Sequence, residues 1–242
     1  MQSDSPRGSS QRGGESFVEA LSAYSRFHRA QHWSGTFGEF LRTILPGNGR
    51  QLARTSHEYL WDMLCWFGKN TPAATNGAAV AANGNAESAG AKELFKRELF
   101  GIDEPLGRVV DYFKAAAAGS DVGRRLLLLL GPPSGGKSTM AILLKRGLEE
   151  YSHTDEGAMY ALQGSPMHES PLNLVPASLR AEFRDTYGVE IRGELSPWAR
   201  DRLEREFEGD FLRMPVERIF LSEATRMGVG TYAPHDPTTA DL

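Results

Sequence analysis

The sequence predicts an α/β fold, on the evidence of two apolar stretches and the helical pattern between them. Leu126–Leu130 is an unbroken apolar run, which is the character expected of a strand buried on both faces. After a glycine-rich turn, apolar residues recur at helical spacing, at Met140, Leu143, Leu144 and Leu148. Ala158–Gln163 can form a second strand, so strand, helix and strand should make a right-handed crossover unit.

Composition and charge exclude several classes of protein. The chain has 242 residues, of which 40% are hydrophobic and 24% charged, as in soluble globular proteins. Its net charge of −4 gives no reason to expect a nucleic-acid partner or an anionic membrane surface. Cys65 is the only cysteine, which favours a reducing compartment. Neither a signal peptide nor an apolar run of ~20 residues is present, so we expect a cytoplasmic protein with no membrane partner.

The turn between the predicted strand and helix carries a phosphate-binding motif. Gly131, Gly136, Lys137 and Ser138 match the P-loop pattern G-x-x-x-x-G-K-[ST] at every position. Glycines let the backbone curl with its N–H groups pointing inward, and the helix that follows adds the positive end of its dipole. Strand, loop and helix come in the order that the motif requires, which disfavours the alternative of a glycine-rich turn that binds nothing.

This motif assigns a role to each part of the loop. Lys137 should reach the β- and γ-phosphates of ATP, and the Ser138 hydroxyl should ligate Mg²⁺. The residues expected to bind the nucleotide are Gly131, Pro132, Pro133, Ser134, Gly135, Gly136, Lys137, Ser138 and Thr139.

Catalysis would also need an acid that supports Mg²⁺ and water. The best candidate is Glu223, which ends the stretch 219–223, although the polar Ser222 interrupts this hydrophobic run. Lys137 and Glu223 are therefore the predicted catalytic residues. No G-x-S-x-G, H-R-D-x-x-x-x-N or D-F-G motif is present, so no ordinary hydrolase or eukaryotic-type kinase site is predicted.

The composition changes along the chain suggest four regions. Residues 1–15 have little to bury and are predicted to be a disordered tail, and 16–69 a helical region. Residues 70–92 are rich in Ala, Asn and Gly and are expected to be a linker or insertion. Residues 93–242 then form the nucleotide-binding domain.

Helix boundaries have clear signals. Thr36 starts a capping-box pattern, and Ser56 and Asp103 are predicted to cap the next helices. Ser196-Pro197 combines a cap with proline at the first helical position, and Gly188 should end the helix before it. Further strands are predicted at 216–222 and 228–232.

Three further groups of residues allow two interpretations each. His28 and His32 could share a metal on one helical face, but a solvated or partly packed face is favoured. Trp61 and Trp66 could stack on a base or a partner, but packing between helices is favoured. The consecutive residues His168 and Glu169 lie in a loop after a predicted strand, and this loop could either face a ligand or be structural.

Several segments resemble one family. These are Phe100-Gly101-Ile102, GPPSGGKST, GSPMHESPLNLVP, the Tyr187-Gly188 turn, and Leu195-Ser196-Pro197-Trp198-Ala199 followed by Arg202-Leu203. From about residue 95 to the end, the chain resembles the AAA domain of the bacterial PrkA serine protein kinases. The resemblance implies an ATP-binding AAA-type domain joined to a C-terminal kinase-like domain, with Gly131 to Thr139 as the nucleotide ligands.

The fold class expected from this resemblance is α/β, a P-loop NTPase core of AAA type with three layers and an N-terminal helical extension. The insertion at 70–92 is not expected in the family, and family members continue for several hundred residues. We therefore expect the chain to be a truncated, N-terminal piece of an ATP-dependent serine/threonine protein kinase. On its own it is expected to bind Mg-ATP and scarcely to turn it over.

Three alternatives remain. The chain could belong to an AAA-type ATPase that remodels or degrades proteins, to a small-molecule P-loop kinase, or to a non-catalytic nucleotide-binding module. The small-molecule kinase is disfavoured because no Arg-rich lid is evident. A protein substrate and a homo-oligomer are the partners expected of a PrkA-type kinase and of an AAA-type ATPase.

Overall fold

The fold is known from a computed structural model, which describes residues 17–23, 25, 32–70, 88, 90–132 and 135–222. Residues 17–23 are helical. The helices that follow are α1 (Phe37–Thr43), α2 (Gly49–Leu52), α3 (Ser56–Asn70), α4 (Asp103–Ala117), α5 (Lys137–Ser152), α6 (Arg180–Tyr187) and α7 (Pro197–Phe207). Short 3₁₀ turns lie at Phe95–Arg97, Asp121–Arg124, Pro171–Leu174, Ala177–Leu179 and Phe211–Arg213.

The capping box before α1 is confirmed, and a second one lies before α3. The Thr36 hydroxyl accepts from the Glu39 N–H at 3.2 Å, and Glu39 accepts in return from the Thr36 N–H at 2.7 Å. The prediction that Ser56 caps α3 is wrong, because Thr55 takes that place. Thr55 and Glu58 exchange the same pair of hydrogen bonds, at 3.2 and 2.7 Å. The S/T-x-x-E pattern starts one residue earlier than predicted.

The later helix ends are also largely as predicted. The Ser196 hydroxyl accepts from the Ala199 N–H at 3.2 Å, with Pro197 in the first turn of α7. Gly188 ends α6 in the left-handed conformation, at φ 68°. The predicted cap at Asp103 is wrong, because Asp103 is the first residue of α4 and its side chain makes no capping bond.

The described strands form one antiparallel sheet. β1 (Ser34–Thr36), β2 (Met159–Leu162) and β3 (Pro215–Ile219) are arranged in the order β1-β3-β2. Ser34 pairs with Glu217, and Met159 pairs with Ile219. β2 confirms the strand predicted at 158–163, and β3 overlaps the one predicted at 216–222. The stretch 228–232 lies outside the described residues.

The prediction of a buried strand at Leu126–Leu130 is wrong for this structure. The five leucines form no hydrogen-bonded strand, and their side chains are 36–88% exposed. A strand requires a neighbour to receive its backbone hydrogen bonds, and within the described residues the sheet consists of β1, β3 and β2 alone. The predicted crossover unit is therefore not formed, because β2 pairs antiparallel with β3.

One hydrophobic core joins α3, α4, α5 and the segment 91–99. Its most buried large side chains include Met63, Leu64, Phe67, Leu94, Phe95 and Leu106. Gly147 is a point of close approach in this core, because a Cβ there would lie 2.9 Å from Leu94 Cδ2 and from Met63 Sδ. Ala91, at the end of the predicted linker, is fully buried in this core.

A second core lies between the sheet, α1, α6 and α7, and includes Phe37, Phe40, Leu45, Leu162, Leu174, Met214 and Val216. Both cores take residues from before and after the low-complexity stretch. The helical region predicted at 16–69 therefore packs directly against elements of the region predicted to bind nucleotide.

A buried guanidinium connects α3 to the turn after α5. Arg54, with only 7% of its side chain exposed, donates to Asp62 at 2.8 Å, to the Tyr151 hydroxyl at 3.0 Å and to the Glu156 carbonyl at 2.9 Å. It also lies 4.8 Å from the centre of the Tyr59 ring. Burial raises the pKa of Tyr59 and of Tyr151, and the charge of Arg54 partly opposes this effect.

Candidate nucleotide-binding site

The glycine-rich loop leads directly into the N-terminus of α5. Gly136 precedes the helix in the left-handed conformation, at φ 77°, which an L-residue with a side chain rarely adopts. The Gly135 N–H donates to the Pro132 carbonyl at 3.2 Å, and the Met140 N–H donates to the Gly136 carbonyl at 2.8 Å. The loop thus turns sharply before its helix. Pro133 and Ser134 lie outside the described residues.

The Lys137 ammonium is held at the mouth of this loop. Its Nζ donates to the Gly131 carbonyl at 2.8 Å and to the Pro132 carbonyl at 2.6 Å. An ammonium group has three N–H donors, and contacts to described residues use two of them. The contact joins the first residues of the loop to the first residue of α5, and it places a positive charge where a phosphate would meet the helix N-terminus.

The first turn of α5 adds neutral donors. Ser138 is exposed and Thr139 is half-buried, and no acidic residue lies in this turn. The first N–H groups of a helix have no partner within it, and the helix dipole favours an anion there. Because no carboxylate competes for these groups within the turn, the site is suited to a phosphate ligand. The Ser138 hydroxyl is of the type that ligates Mg²⁺ in such loops.

The segment Leu99–Ile102, which leads into α4, packs against the loop at Gly136. A Cβ at Gly136 would lie 2.9 Å from Leu99 Cδ2 and 3.4 Å from Ile102 Cδ1. A side chain at Gly136 is therefore disfavoured both by this contact and by its positive φ. Between the two apolar residues, Phe100 is 81% exposed, and Gly101 follows at φ 72°.

Phe100 was not among the predicted site residues. Its sequence signal was present, since it opens the Phe100-Gly101-Ile102 segment, but nothing local indicated that this segment contacts the loop 35 positions later. Two ion pairs also connect the segment to α5, Glu98 with Arg146 at 3.1 Å and Arg97 with Glu150 at 3.6 Å. All four side chains are about half exposed, so these pairs contribute little compared with the apolar contacts.

The loop after β2 is structural at Glu169. The Glu169 side chain is fully buried, and its carboxylate accepts from the Ser196 N–H at 2.8 Å, the Ser196 hydroxyl at 2.6 Å and Asn173 Nδ2 at 3.2 Å. The carboxylate therefore stabilises the start of α7 and is not directed at a ligand. The neighbouring His168 is half-buried with a positive φ of 50°.

The remaining candidates are packing residues or lie outside the described part of the chain. Trp66 packs against Phe67 and Tyr151 at the edge of the first core, which supports the packing interpretation. His28 and Glu223 lie outside the described residues. Among those that are described, no group of three or more His, Cys, Asp or Glu side chains could hold a metal ion.

Comparison with known families gives a match that includes the glycine-rich loop and α5. The match places the chain among AAA domains. More narrowly, the chain belongs to the PrkA AAA domain family, whose profile matches residues 35–242. The resemblance predicted from sequence is thereby confirmed, and the fold is a mixed helix and sheet domain of this family.

Two relatives show how much of a longer protein the chain represents. It is 41% identical over 228 residues to a Bacillus subtilis protein named ATP-dependent protease PrkA. This alignment covers 93% of the present chain and 33% of the relative. The chain is 29% identical over 153 residues to an Escherichia coli K12 protein named serine/threonine kinase YeaG, covering 60% of this chain and 23% of the relative. The chain thus spans a third or less of these relatives. No solved structure matches it.

None of the helices in the described part of the chain is both long enough and apolar enough to cross a membrane.

Proposed function

We propose that this chain binds Mg-ATP through residues Gly131 to Thr139, as the nucleotide-binding module of a PrkA-like protein. The observation that supports this most directly is the position of Lys137. Its ammonium is bound to the Gly131 and Pro132 carbonyls, at the N-terminus of a 16-residue helix. A positive charge and the first N–H groups of the helix, which have no partner within it, then meet at one point. An AAA domain generally binds a nucleotide with Mg²⁺, which agrees with this assignment.

In this proposal the loop residues have separate tasks. The N–H groups of the glycine-rich turn surround the phosphates, Lys137 neutralises the terminal phosphates, and the Thr139 N–H is available to the α-phosphate. Ser138 holds Mg²⁺, which when bound supplies charge neutralisation between the phosphates. Glu223 remains the proposed acid for Mg²⁺ and water.

We further propose that the apolar segment at Leu99–Ile102 meets the base end of the nucleotide. Leu99 and Ile102 pack on the loop glycine, and Phe100 exposes an aromatic face beside them. Aromatic stacking stabilises a bound base by about 1–3 kcal/mol in nucleic-acid complexes, and the same physical interaction is available here.

The activity of the whole protein is proposed to be protein phosphorylation, as the name of the Escherichia coli relative states for that protein. ATP-dependent proteolysis is the second candidate, because the Bacillus subtilis relative with 41% identity is named a protease. The loop described here would bind nucleotide in either case. Incubating the full-length protein with radiolabelled ATP and a casein substrate distinguishes phosphate transfer to casein from cleavage of casein.

Calorimetric titration with Mg-ATP tests the binding assignment. Lys137→Ala removes a charge-assisted contact of about 1.5–3 kcal/mol, so affinity should fall by about 10- to 100-fold. Lys145→Ala is the matched control, because it removes the same charge from an exposed position on the same helix. Equal affinities for the parent and Lys137→Ala would refute the assignment.

Turnover by this chain should be slow. The loop supplies ground-state phosphate contacts, whereas hydrolysis also needs a positioned acid and a group that stabilises transition-state charge, the latter worth about 10³–10⁵ in rate. ATPase turnover near ~1 s⁻¹ would contradict this expectation. If Glu223→Gln then abolished that activity, Glu223 would be the acid.

A further inference from the structure

A cleft lies at the surface of the second core, between the start of α6 and the helix α7. Its volume is about 370 Å³, within the range of roughly 300–1,000 Å³ that ligand sites in proteins occupy. Its floor is apolar and is formed by Leu174, Leu195, Leu203 and Phe211. None of its lining residues belongs to the glycine-rich loop or to Leu99–Ile102, so the cleft is separate from the candidate nucleotide site.

Arg180 places a cation in this cleft. It is the first residue of α6 and is half-buried, and its Nε donates to the Val175 carbonyl at 3.2 Å. This bond holds the side chain against the turn at 175–177, which also lines the cleft. A guanidinium has five N–H donors, and the four on the Nη atoms of Arg180 donate to no other described residue. Arg180 is therefore held in position with a fork of donors available to a ligand.

Asn173 adds a hydrogen-bond acceptor to the cleft that it lines. The residue is only 6% exposed, and its Nδ2 donates to Glu169 at 3.2 Å. Because a carboxylate accepts hydrogen bonds, the amide nitrogen faces Glu169 and Oδ1 faces away from it. Oδ1 accepts from no other described residue, yet the only described side-chain atom that is buried without a partner is Arg218 Nε. Oδ1 is therefore open to the cleft and available to an N–H donor.

The other charged groups of the cleft leave the charge of Arg180 uncompensated. Arg200 pairs with Glu194 at 3.5 Å, and Glu204 is exposed at the rim, where solvent and salt screen its charge. No carboxylate of the described residues forms an ion pair with Arg180. The ligand group that best matches a guanidinium fork is a carboxylate, which accepts two parallel N–H bonds from it.

We propose that this cleft binds a peptide through a large apolar side chain and an adjacent carboxylate. The carboxylate pairs with Arg180, and a backbone N–H of the same peptide donates to Asn173 Oδ1. The apolar side chain packs on Leu195, Leu203 and Phe211. A peptide meets all three requirements, because one residue carries both an N–H and a side chain. The carboxylate then comes from the chain end or from the side chain of the next residue, and both present the same chemistry to Arg180.

Fluorescence anisotropy of dye-labelled peptides, titrated with the 242-residue chain without nucleotide, tests this proposal. The peptides are Gly-Gly-Phe with a free carboxylate, the same peptide amidated, and amidated Gly-Phe-Asp-Gly. A peptide with a carboxylate should bind at least about tenfold more tightly than amidated Gly-Gly-Phe, because the latter cannot make the charge-assisted hydrogen bonds. Comparing the first and third peptides shows whether the carboxylate belongs to a chain end or to a side chain. Because nucleotide is absent, the outcome is independent of the proposed ATP site.

Substitutions in the chain test the two parts of the cleft separately. Arg180→Ala should weaken binding of the carboxylate peptide by about 10- to 100-fold. Arg184→Ala is the matched control, because Arg184 is exposed on the same helix and does not line the cleft, and this variant should bind like the parent. Phe211→Ala removes part of the floor and should weaken binding about tenfold.

Several results would overturn the proposal. These are the absence of saturable binding below ~1 mM for all three peptides, equal binding of amidated Gly-Gly-Phe, unchanged affinity in Arg180→Ala, and equal loss in Arg184→Ala. Far-UV circular dichroism checks that each variant is folded. Should Arg180→Ala fail to fold, Arg180→Lys keeps the positive charge without the planar fork and should still weaken binding at least about threefold. Parent-like affinity in a folded Arg180→Lys variant would then count against the carboxylate contact.

Discussion

Replacing Glu169 by alanine should destabilise the fold substantially and leave nucleotide affinity nearly unchanged. The carboxylate is fully buried and accepts hydrogen bonds from the Ser196 N–H, the Ser196 hydroxyl and Asn173 Nδ2. It lies at the N-terminus of α7, where the helix dipole favours a negative charge. Alanine removes the acceptor and leaves these donors buried.

The size of the effect follows from the donors that lose their partner. A buried donor without an acceptor costs about 1–3 kcal/mol, and neighbouring losses do not add in full. The Ser196 hydroxyl can turn toward another acceptor, whereas the Ser196 N–H cannot. We therefore expect Glu169→Ala to lower the free energy of unfolding by about 3–5 kcal/mol. Glu169→Gln keeps one oxygen acceptor and should cost less, about 1–2 kcal/mol.

Urea denaturation followed by circular dichroism measures these changes, and Glu204→Gln serves as an exposed control. Mg-ATP titration of Glu169→Gln at low temperature, where the variant stays folded, tests the second half of the prediction. A loss below ~1 kcal/mol for Glu169→Ala would refute the structural role. A large loss of affinity in a fully folded Glu169→Gln variant would instead support the ligand-facing interpretation.

Three further predictions test the packing, the ionisation and the base contact. Gly147→Ala should cost about 1–3 kcal/mol in urea denaturation, because its Cβ would lie 2.9 Å from Leu94 Cδ2. Burial raises the pKa of Tyr59 and Tyr151, so the unfolded chain loses these protons first, and stability should fall as pH rises above ~10, less steeply in Tyr59→Phe. Phe100→Ala should weaken Mg-ATP binding about 5- to 100-fold in calorimetry while leaving the melting temperature unchanged, because the ring is exposed.

Features that depend on a few neighbouring residues could be predicted from the sequence. The capping box at Thr36, the Ser196-Pro197 helix start and the glycine stop at Gly188 each follow from side chains within one turn of the helix end. The start of α5 immediately after the glycine-rich loop is of the same kind, since Gly136 supplies the left-handed residue that the turn needs. The Ser56 cap failed only because an equivalent signal lies one residue earlier.

Features that depend on distant residues could not be predicted. The five leucines have the composition of a buried strand, but composition does not state whether a neighbouring strand exists, and here the described sheet pairs other segments. The role of Glu169 depends on Ser196, 27 positions away. A carboxylate in a proline-rich loop after a strand has the same sequence signature whether it faces a ligand or caps a distant helix.

The candidate site combines features that depend on neighbouring residues with features that depend on distant ones. Its parts should therefore respond differently to substitutions. The part proposed to bind phosphate is local in sequence, with Lys137 bound to carbonyls five and six positions before it, and so it should persist in any variant that keeps α5 folded. The part proposed to meet the base depends on the approach of Leu99 and Ile102 to Gly136, more than 30 positions away. Destabilising the first core, as Gly147→Ala is expected to do, should therefore disturb the proposed base contacts before the phosphate contacts. Affinity for ATP should then fall while affinity for inorganic triphosphate is retained.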